Sequence, residues 1–365
     1  MGQRMARDLH PGAWWLWALG LAAAASATTN PWLLLITAAD AGFVVVARRS
    51  DHPWSRSFGL YVGLAIAIVV IRVLFRIVRG AVDGGHVLFT LPEIPLPDWV
   101  AGVRLLGPVS RESLLAGLYD GMRLATIVLC VGSANALANP KRLLKSMPPA
   151  LYEIGSAVVV AVSILPQLGD SVQRVRAARR LRGVPGGRVA RLRGVVVPVL
   201  EDALERSMSL AAGMDARGYG RTGELGTRQR NTTGALMMAG LAGVCAGTYG
   251  LLDQTTPGWL GVPMLVLGVV VAAAGFVSAG ARVARTRYRP DRWRVAEVVV
   301  ALSGVLVAAG TYLLTVPEMA VAHPPVSAVP VVTMTALVVV LVGLLPALAS
   351  PPPAVAPARR TEVAR

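Results

Sequence analysis

Few residues in this 365-residue chain have the types and spacing that chemistry requires. His10, His52, His86 and His323 lie in four separate segments, with none of the spacing of a metal site. Cys130 and Cys245 stand singly inside apolar blocks and read as small packing residues, not as a CxxC pair or a disulfide framework. There is no GxxxxGK loop to hold the phosphates of ATP. No grouping of Ser, His, Asp or Cys marks an acyl-transfer or hydrolytic site. The expectation is a non-enzyme that binds no cofactor itself. What remains is charge placed where a helix ends, or where burial in hydrocarbon makes it costly.

Two arginines end helical stripes. In the segment 150–183, Leu165, Leu168, Val172 and Val175 follow helical spacing, and the same spacing continues to Arg179 and Arg182, with Gly183 as the stop. In 195–218 the plan repeats through Ala203, Ser207, Leu210, Met214 and Arg217, next to Asp215, Ala216 and Gly218. Small residues at Ala203, Ser207 and Ala211 would let another helix approach closely. Arg near a helix C-terminus and Gly just after it form an ordinary cap, so one such pair carries no function by itself. Recurrence at the ends of neighbouring amphipathic helices points instead to matched docking knobs, because arginine makes fork-like contacts with carboxylates at interfaces. The other charges of interest are Asp40, Asp120 and Arg123, inside apolar segments. Asp120 and Arg123 are three apart and can pair with each other, whereas Asp40 has no local basic partner and could be neutralised by Arg72 or Arg76.

The elements that must position these residues are membrane helices. The chain is 54% hydrophobic and 15% charged, with mean hydropathy +0.58, against about 25% charged in soluble domains. Apolar blocks give eight expected spans, at 13–27, 31–47, 58–78, 114–137, 235–252, 262–281, 295–316 and 327–349. The first is short and imitates a secretory signal, but a second span follows at once, so an uncleaved first helix is the better reading. With both termini inside, 30 of the 36 basic residues face the cytoplasm and three face outward. The formal charge of +16 therefore reports topology, which excludes nucleic acid as the natural partner.

The resulting layout is all-α: a polytopic bundle with a pair of long cytoplasmic helices between the fourth and fifth spans. It divides into an N-terminal membrane domain at 1–138, a cytoplasmic region at 139–235, and a C-terminal membrane domain at 236–365 whose tail from about 350 reads as disordered. The middle region holds 16 basic and 7 acidic residues yet is too long for an unstructured loop. The external segment 80–111, with Pro92, Pro95, Pro97 and Trp99, either lies at the membrane interface against a partner or is only a long outer loop.

The cytoplasmic region resembles the transmembrane T components of energy-coupling factor transporters, the EcfT and CbiQ family of importers. The family pattern is two coupling helices, each ending in Ala-Arg-Gly. The MDARGYG run from Met214 to Gly220 matches it at Ala216, Arg217 and Gly218; AARRLRG matches at Arg182 and Gly183, with Leu181 where Ala is usual. Further similarity lies in Asn30-Pro31, in Arg123 within YDGMRL, in LANPKRLLKSMPPALYE, and in ILPQLGD around Pro166. The likeness covers about 11–220 and weakens beyond Arg221. It implies that two cytoplasmic ABC ATPase subunits hold ATP and magnesium, that a small membrane S component captures a vitamin or transition metal, and that this chain links them in the cell membrane. Arg182 and Arg217 would dock on the ATPases, with Arg179, Pro166, Met214 and Asp215 supporting the helices. Two other readings remain open: a self-sufficient permease with Asp40, Asp120 and Arg123 along its path, and a membrane scaffold that recruits acidic proteins without transport.

Overall fold

The computed structural model describes residues 7–49, 57–79, 86–92, 106–146, 152–182, 188–218, 227–253, 256–280 and 293–352. Among these residues seven helices are long and apolar enough to cross a bilayer, so the protein is an all-α polytopic membrane protein. Six of the seven coincide with expected spans. The seventh, Gly155–Leu181, belongs to a helix expected in the cytoplasm. The outer two of the eight expected spans are shorter: the first is a 16-residue helix, and the last is broken into pieces before and within Met334–Ala349.

The chain forms two compact units. The first, Met1–Leu143 with Asp291–Arg365, gathers both ends of the sequence. Its centre is α1 (Pro11–Ser26), an almost continuous run of Ala, Leu and Trp in which ten residues are buried. The side chain of His10 caps its start by accepting from the Gly12 amide, and Pro11 stands where no amide hydrogen is required. Around α1 pack α2 (Pro31–Arg48), α4 (Arg111–Leu137) and α10 (Val295–Gly310), while α3 (Phe58–Arg79) packs along α4. A two-stranded antiparallel pair, β1 (Val87–Thr90) with β2 (Pro108–Ser110), lies between α3 and α4 in sequence, and Ser110 then caps α4. Pro95, Pro97 and Trp99 of this external segment lie outside the described residues.

Glycine sets how closely these helices meet. A Cβ at Gly20 would fall onto the Gly304 carbonyl, and one at Gly304 onto the backbone of Trp17, so α1 and α10 touch backbone to backbone. The Trp17 indole, fully buried, donates to the Gly343 carbonyl at 3.0 Å. After α10 the chain passes through a π turn, Thr311–Thr315, then α11 (Met319–Ala322), α12 (Met334–Leu341), a 3-10 turn Val342–Leu344, and α13 (Leu345–Ala349). Pro317, Pro330 and Pro346 explain the interruptions, because proline cannot supply the amide that continues a helix.

Asn30 shows why Asn-Pro opens α2. Its Oδ1 accepts from the Trp32 amide at 3.1 Å, and its Nδ2 donates to the carbonyls of Val321 at 2.9 Å and Val331 at 2.8 Å. One fully buried side chain therefore caps the helix and ties the α1–α2 turn to the loop around α11. At the other end of α1, Arg7 pairs at 2.8 Å with Glu297, which is 1% exposed.

The second unit, Leu144–Pro290, holds two helical hairpins. α6 (Tyr152–Leu181) packs on α7 (Arg188–Ala216), and α8 (Thr227–Leu252) packs on α9 (Val262–Gly280). The second hairpin is close-packed through Gly240, Gly243, Gly247 and Gly250 of α8, which face Ala272, Gly268, Leu265 and Leu260. The short α5 (Pro140–Lys145) lies where the two units join in sequence.

Candidate functional site

The hairpin of α6 and α7 is built on a narrow seam. On α6 the shielded positions are Ile164, Leu168, Ser171, Val172, Val175 and Arg179, with helical spacing. Leu165, expected on this stripe, is 64% exposed. On α7 the shielded positions run from Gly194 and Val195 through Pro198 and Val199 to Asp202 and Ala203. Beyond Ala203 the expected stripe of Ser207 and Leu210 is exposed, and only Met214 is half-buried. Length does not account for this, since α6 extends 19 residues before Ser171 and α7 only 14 beyond Asp202; among the described residues the two helices no longer shield each other past Ala203, except at Met214.

The seam runs antiparallel. Ser171 faces Asp202, its hydroxyl donating to the carboxylate at 2.6 Å. Eight residues further along α6, the Arg179 guanidinium occupies the space that a Cβ at Gly194 would take. Arg206 donates to the same carboxylate at 3.0 Å and Arg174 at 3.5 Å. The Ser171 hydroxyl first, and then the two guanidinium groups, outweigh the desolvation that opposes them and hold the Asp202 carboxyl below its ordinary value of 3.8.

The two arginines singled out by the sequence stand at opposite ends of this hairpin. Arg182 ends α6, its amide bonding the Ala178 carbonyl, with Leu181 beside it 89% exposed. Gly183 lies outside the described residues. Arg217 and Gly218 end α7 in tightened i to i+3 bonds, from the Arg217 amide to Met214 and from the Gly218 amide to Asp215. Gly218 sits at φ +75, the left-handed conformation a helix-ending glycine supplies. Asp215, Ala216, Arg217 and Gly218 are all exposed. From the level of Arg179 and Gly194, Arg182 lies three residues further one way and Arg217 twenty-three the other way. At about 1.5 Å per residue the tips are roughly 40 Å apart along the pair. Pro166 lies within α6 on its exposed side.

The intramembrane charges, in the first unit, are organised differently from expectation. Asp120 pairs with Arg76 of α3 at 3.4 Å, not with Arg123. Arg123 instead donates to the Ser26 carbonyl and closes the end of α1. Interhelical packing decides this. Gly117 and Gly121 of α4 leave room for Arg76 and for Arg72 with Val69, which brings a foreign guanidinium to Asp120. Asp40 is 3% exposed, and its Oδ2 has no hydrogen-bond partner among the described residues. It lies against Gly343 and Leu21. No group of three or more His, Cys, Asp or Glu residues that could hold a metal occurs among the described residues.

Sequence reasoning missed Ser171 and Asp202. Their signal was present, because Ser171 is the one hydroxyl falling on the apolar stripe of α6 at Leu168, Val172 and Val175, and Asp202 precedes Arg206 by four.

Comparison with known proteins bears on the same region. Residues 2–227 match the CbiQ family, described as cobalt transport protein. The energy-coupling factor transporter transmembrane protein EcfT of Limosilactobacillus fermentum is 28% identical over 183 residues, 47% of this chain and 62% of that protein. EcfT of Streptococcus equi is 29% identical over 161 residues, 42% and 58% of the two chains. EcfT of Staphylococcus aureus is 25% identical over 150 residues, 37% and 54%. The chain thus spans about three fifths of the length of the first two of these curated relatives. The match to the family covers α1 to α7; α9 to α13 lie beyond it.

Proposed function

Because this chain belongs to the CbiQ family of cobalt transport proteins, we propose that it is the transmembrane T component of an energy-coupling factor importer. In this reading two cytoplasmic ABC ATPases bind and hydrolyse ATP with magnesium, an S component captures the substrate, and this chain transmits movement between them. The substrate is a vitamin or a transition metal, chosen by the S component. The protein lies in the cell membrane with both termini in the cytoplasm, where the basic residues concentrate.

The observation that carries the reading is the pair of exposed arginines at the two far ends of one hairpin. A single capping arginine would need no such arrangement. Tips roughly 40 Å apart can reach two separate partner subunits, and each presents a guanidinium free to fork onto a carboxylate. Although Gly155–Leu181 of α6 is long and apolar enough to cross a bilayer, Asp170, Arg174, Arg176, Arg179 and Arg180 crowd its second half, which suits a helix at the membrane surface better than one buried in hydrocarbon. A helix of this composition lies along the inner membrane surface, where the hairpin can meet soluble ATPases.

Arg182→Glu combined with Arg217→Glu is expected to leave the protein in the membrane but remove the ATPases from the purified complex. Charge reversal at a desolvated contact typically costs about 2–5 kcal/mol or more. Co-purification of the ATPases with the double variant at the wild-type ratio overturns the docking assignment. Uptake by the chain alone in liposomes, driven by an ion gradient without ATP, overturns the coupling reading in favour of a permease.

A further inference from the structure

The exposed residues of α6 and α7 are sorted onto two sides of the hairpin. On α6, Leu165, Arg176 and Arg180 are exposed, and each follows a seam residue, Ile164, Val175 and Arg179, by one position. On α7, Val196, Leu200 and Leu204 are exposed and follow Val195, Val199 and Ala203 in the same way. One residue turns a helix by about 100°, and in an antiparallel pair the same turn away from the seam brings both rows to one side. Val158 and Val162, also exposed, continue the α6 row towards its start at helical spacing. That side of the hairpin is therefore apolar, with two guanidinium groups near one end. Because Arg179 meets Gly194, the α7 row passes these two groups at the level of Val196. The exposed acids Asp170 and Glu201 each precede a seam residue and so lie on the opposite side. Arg174 and Arg206 are paired with Asp202, whereas Arg176 and Arg180 meet no carboxylate among the described residues.

We propose that Arg176 and Arg180 bind the phosphate of an anionic phospholipid of the inner leaflet, while the apolar side of the hairpin rests against its acyl chains. This rests on the reading above only in placing the hairpin along the inner membrane surface, and it adds which lipid holds the hairpin there. Arginine stems stay with apolar neighbours while their heads rise to the level of the phosphates. Guanidinium groups four residues apart share a helix face and can fork onto one phosphate or onto two adjacent ones. A phosphatidylcholine headgroup brings its own cation beside the phosphate and a phosphatidylglycerol headgroup does not, so two unopposed arginines select the anionic lipid. A soluble acidic partner would instead meet the apolar row along with the arginines, which is the surface a leaflet covers best.

The test uses the purified full-length protein in phosphatidylcholine vesicles. A fluorophore is attached at Gln173→Cys, an exposed position between Leu165 and Arg176 that follows the seam residue Val172, in a Cys245→Ala background; Cys130 is fully buried. Phosphatidylglycerol spin-labelled in its acyl chain is expected to reach half-quenching at about tenfold lower content than phosphatidylcholine labelled in the same way. Arg176→Gln with Arg180→Gln is expected to make the two lipids equal. Equal quenching with both arginines present overturns the proposal, and so does a preference that survives the double variant. Arg174→Gln removes a basic residue on the other side and is expected to leave the preference in place. If it abolishes the preference as fully as the double variant does, the attraction is diffuse charge and the site is overturned. Quenching by neither lipid means that the hairpin stands clear of the bilayer, which also overturns it. In the complex, the double variant is expected to keep the ATPases at the wild-type ratio; their loss assigns these arginines to a protein contact and overturns the lipid site. Absence of ATPases from the wild-type complex sinks the coupling reading alone, because the quenching assay contains only this chain and lipid.

Discussion

Gly218 carries the tip of α7 at φ +75, where a Cβ meets the following carbonyl. Gly218→Val is expected to cost about 1–2 kcal/mol locally, misdirecting Arg217 and weakening ATPase capture, while the thermal stability of the membrane part stays unchanged. Asn30 has the opposite profile, because it is fully buried and its bonds reach the loop around α11. Asn30→Ala leaves two carbonyls without donors, at about 1–3 kcal/mol for such buried groups, and is expected to lower the melting temperature in detergent without touching ATPase capture. Asp202 gives a pH test. Its carboxyl lies below the ordinary value in the folded hairpin, so its contribution is full above about pH 4 and is lost only as pH falls through the lowered value. The tip-to-tip distance, read between spin labels on Leu181→Cys and Ala216→Cys, is expected to hold from pH 8 to pH 5. The Arg217-Gly218 end was legible because capping is local chemistry. The partner of Asp120 was not, because Arg76 arrives from another helix through the gap left by Gly117, a matter of packing and not of spacing.

At the level of elements, periodicity located both α6 and α7 but misjudged how far they accompany each other. The stripe on α7 continues past Ala203 in sequence, and α6 is long enough to accompany it, yet the described positions there are exposed except Met214. Nothing in an apolar pattern says where a neighbouring helix turns away. The bare patch at Gly194 leads to a prediction of its own. Gly194→Leu meets only the far end of the flexible Arg179 side chain, so the expected result is a protein whose melting temperature in detergent changes little; a drop of many degrees would mean that Arg179 cannot move aside.

For the whole molecule, the unexpected feature is the return of the C-terminal helices to α1. Residues far apart in sequence, 326 in the case of Trp17 and Gly343, meet here, Gly20 with Gly304 as well, and the Arg7–Glu297 pair closes the same joint. A chain ending after Pro290 would uncover Trp17 and Leu21, which are fully buried; it is expected to be recovered at a small fraction of the normal amount, as blotted membranes would show. Gly304→Leu should do the same in milder form, since its Cβ has nowhere to go. Membrane residence, helical class, the cluster of basic residues and the Arg217–Gly218 helix end were determined by the sequence alone, because hydropathy, charge and capping act over one or two helical turns. Which helices pair, that Asp120 is held by Arg76, that the two tips point opposite ways, and that Ser171 meets Asp202 were decided only by the tertiary structure. Those contacts depend on backbones approaching across glycines, a distance that no residue carries in its own neighbourhood.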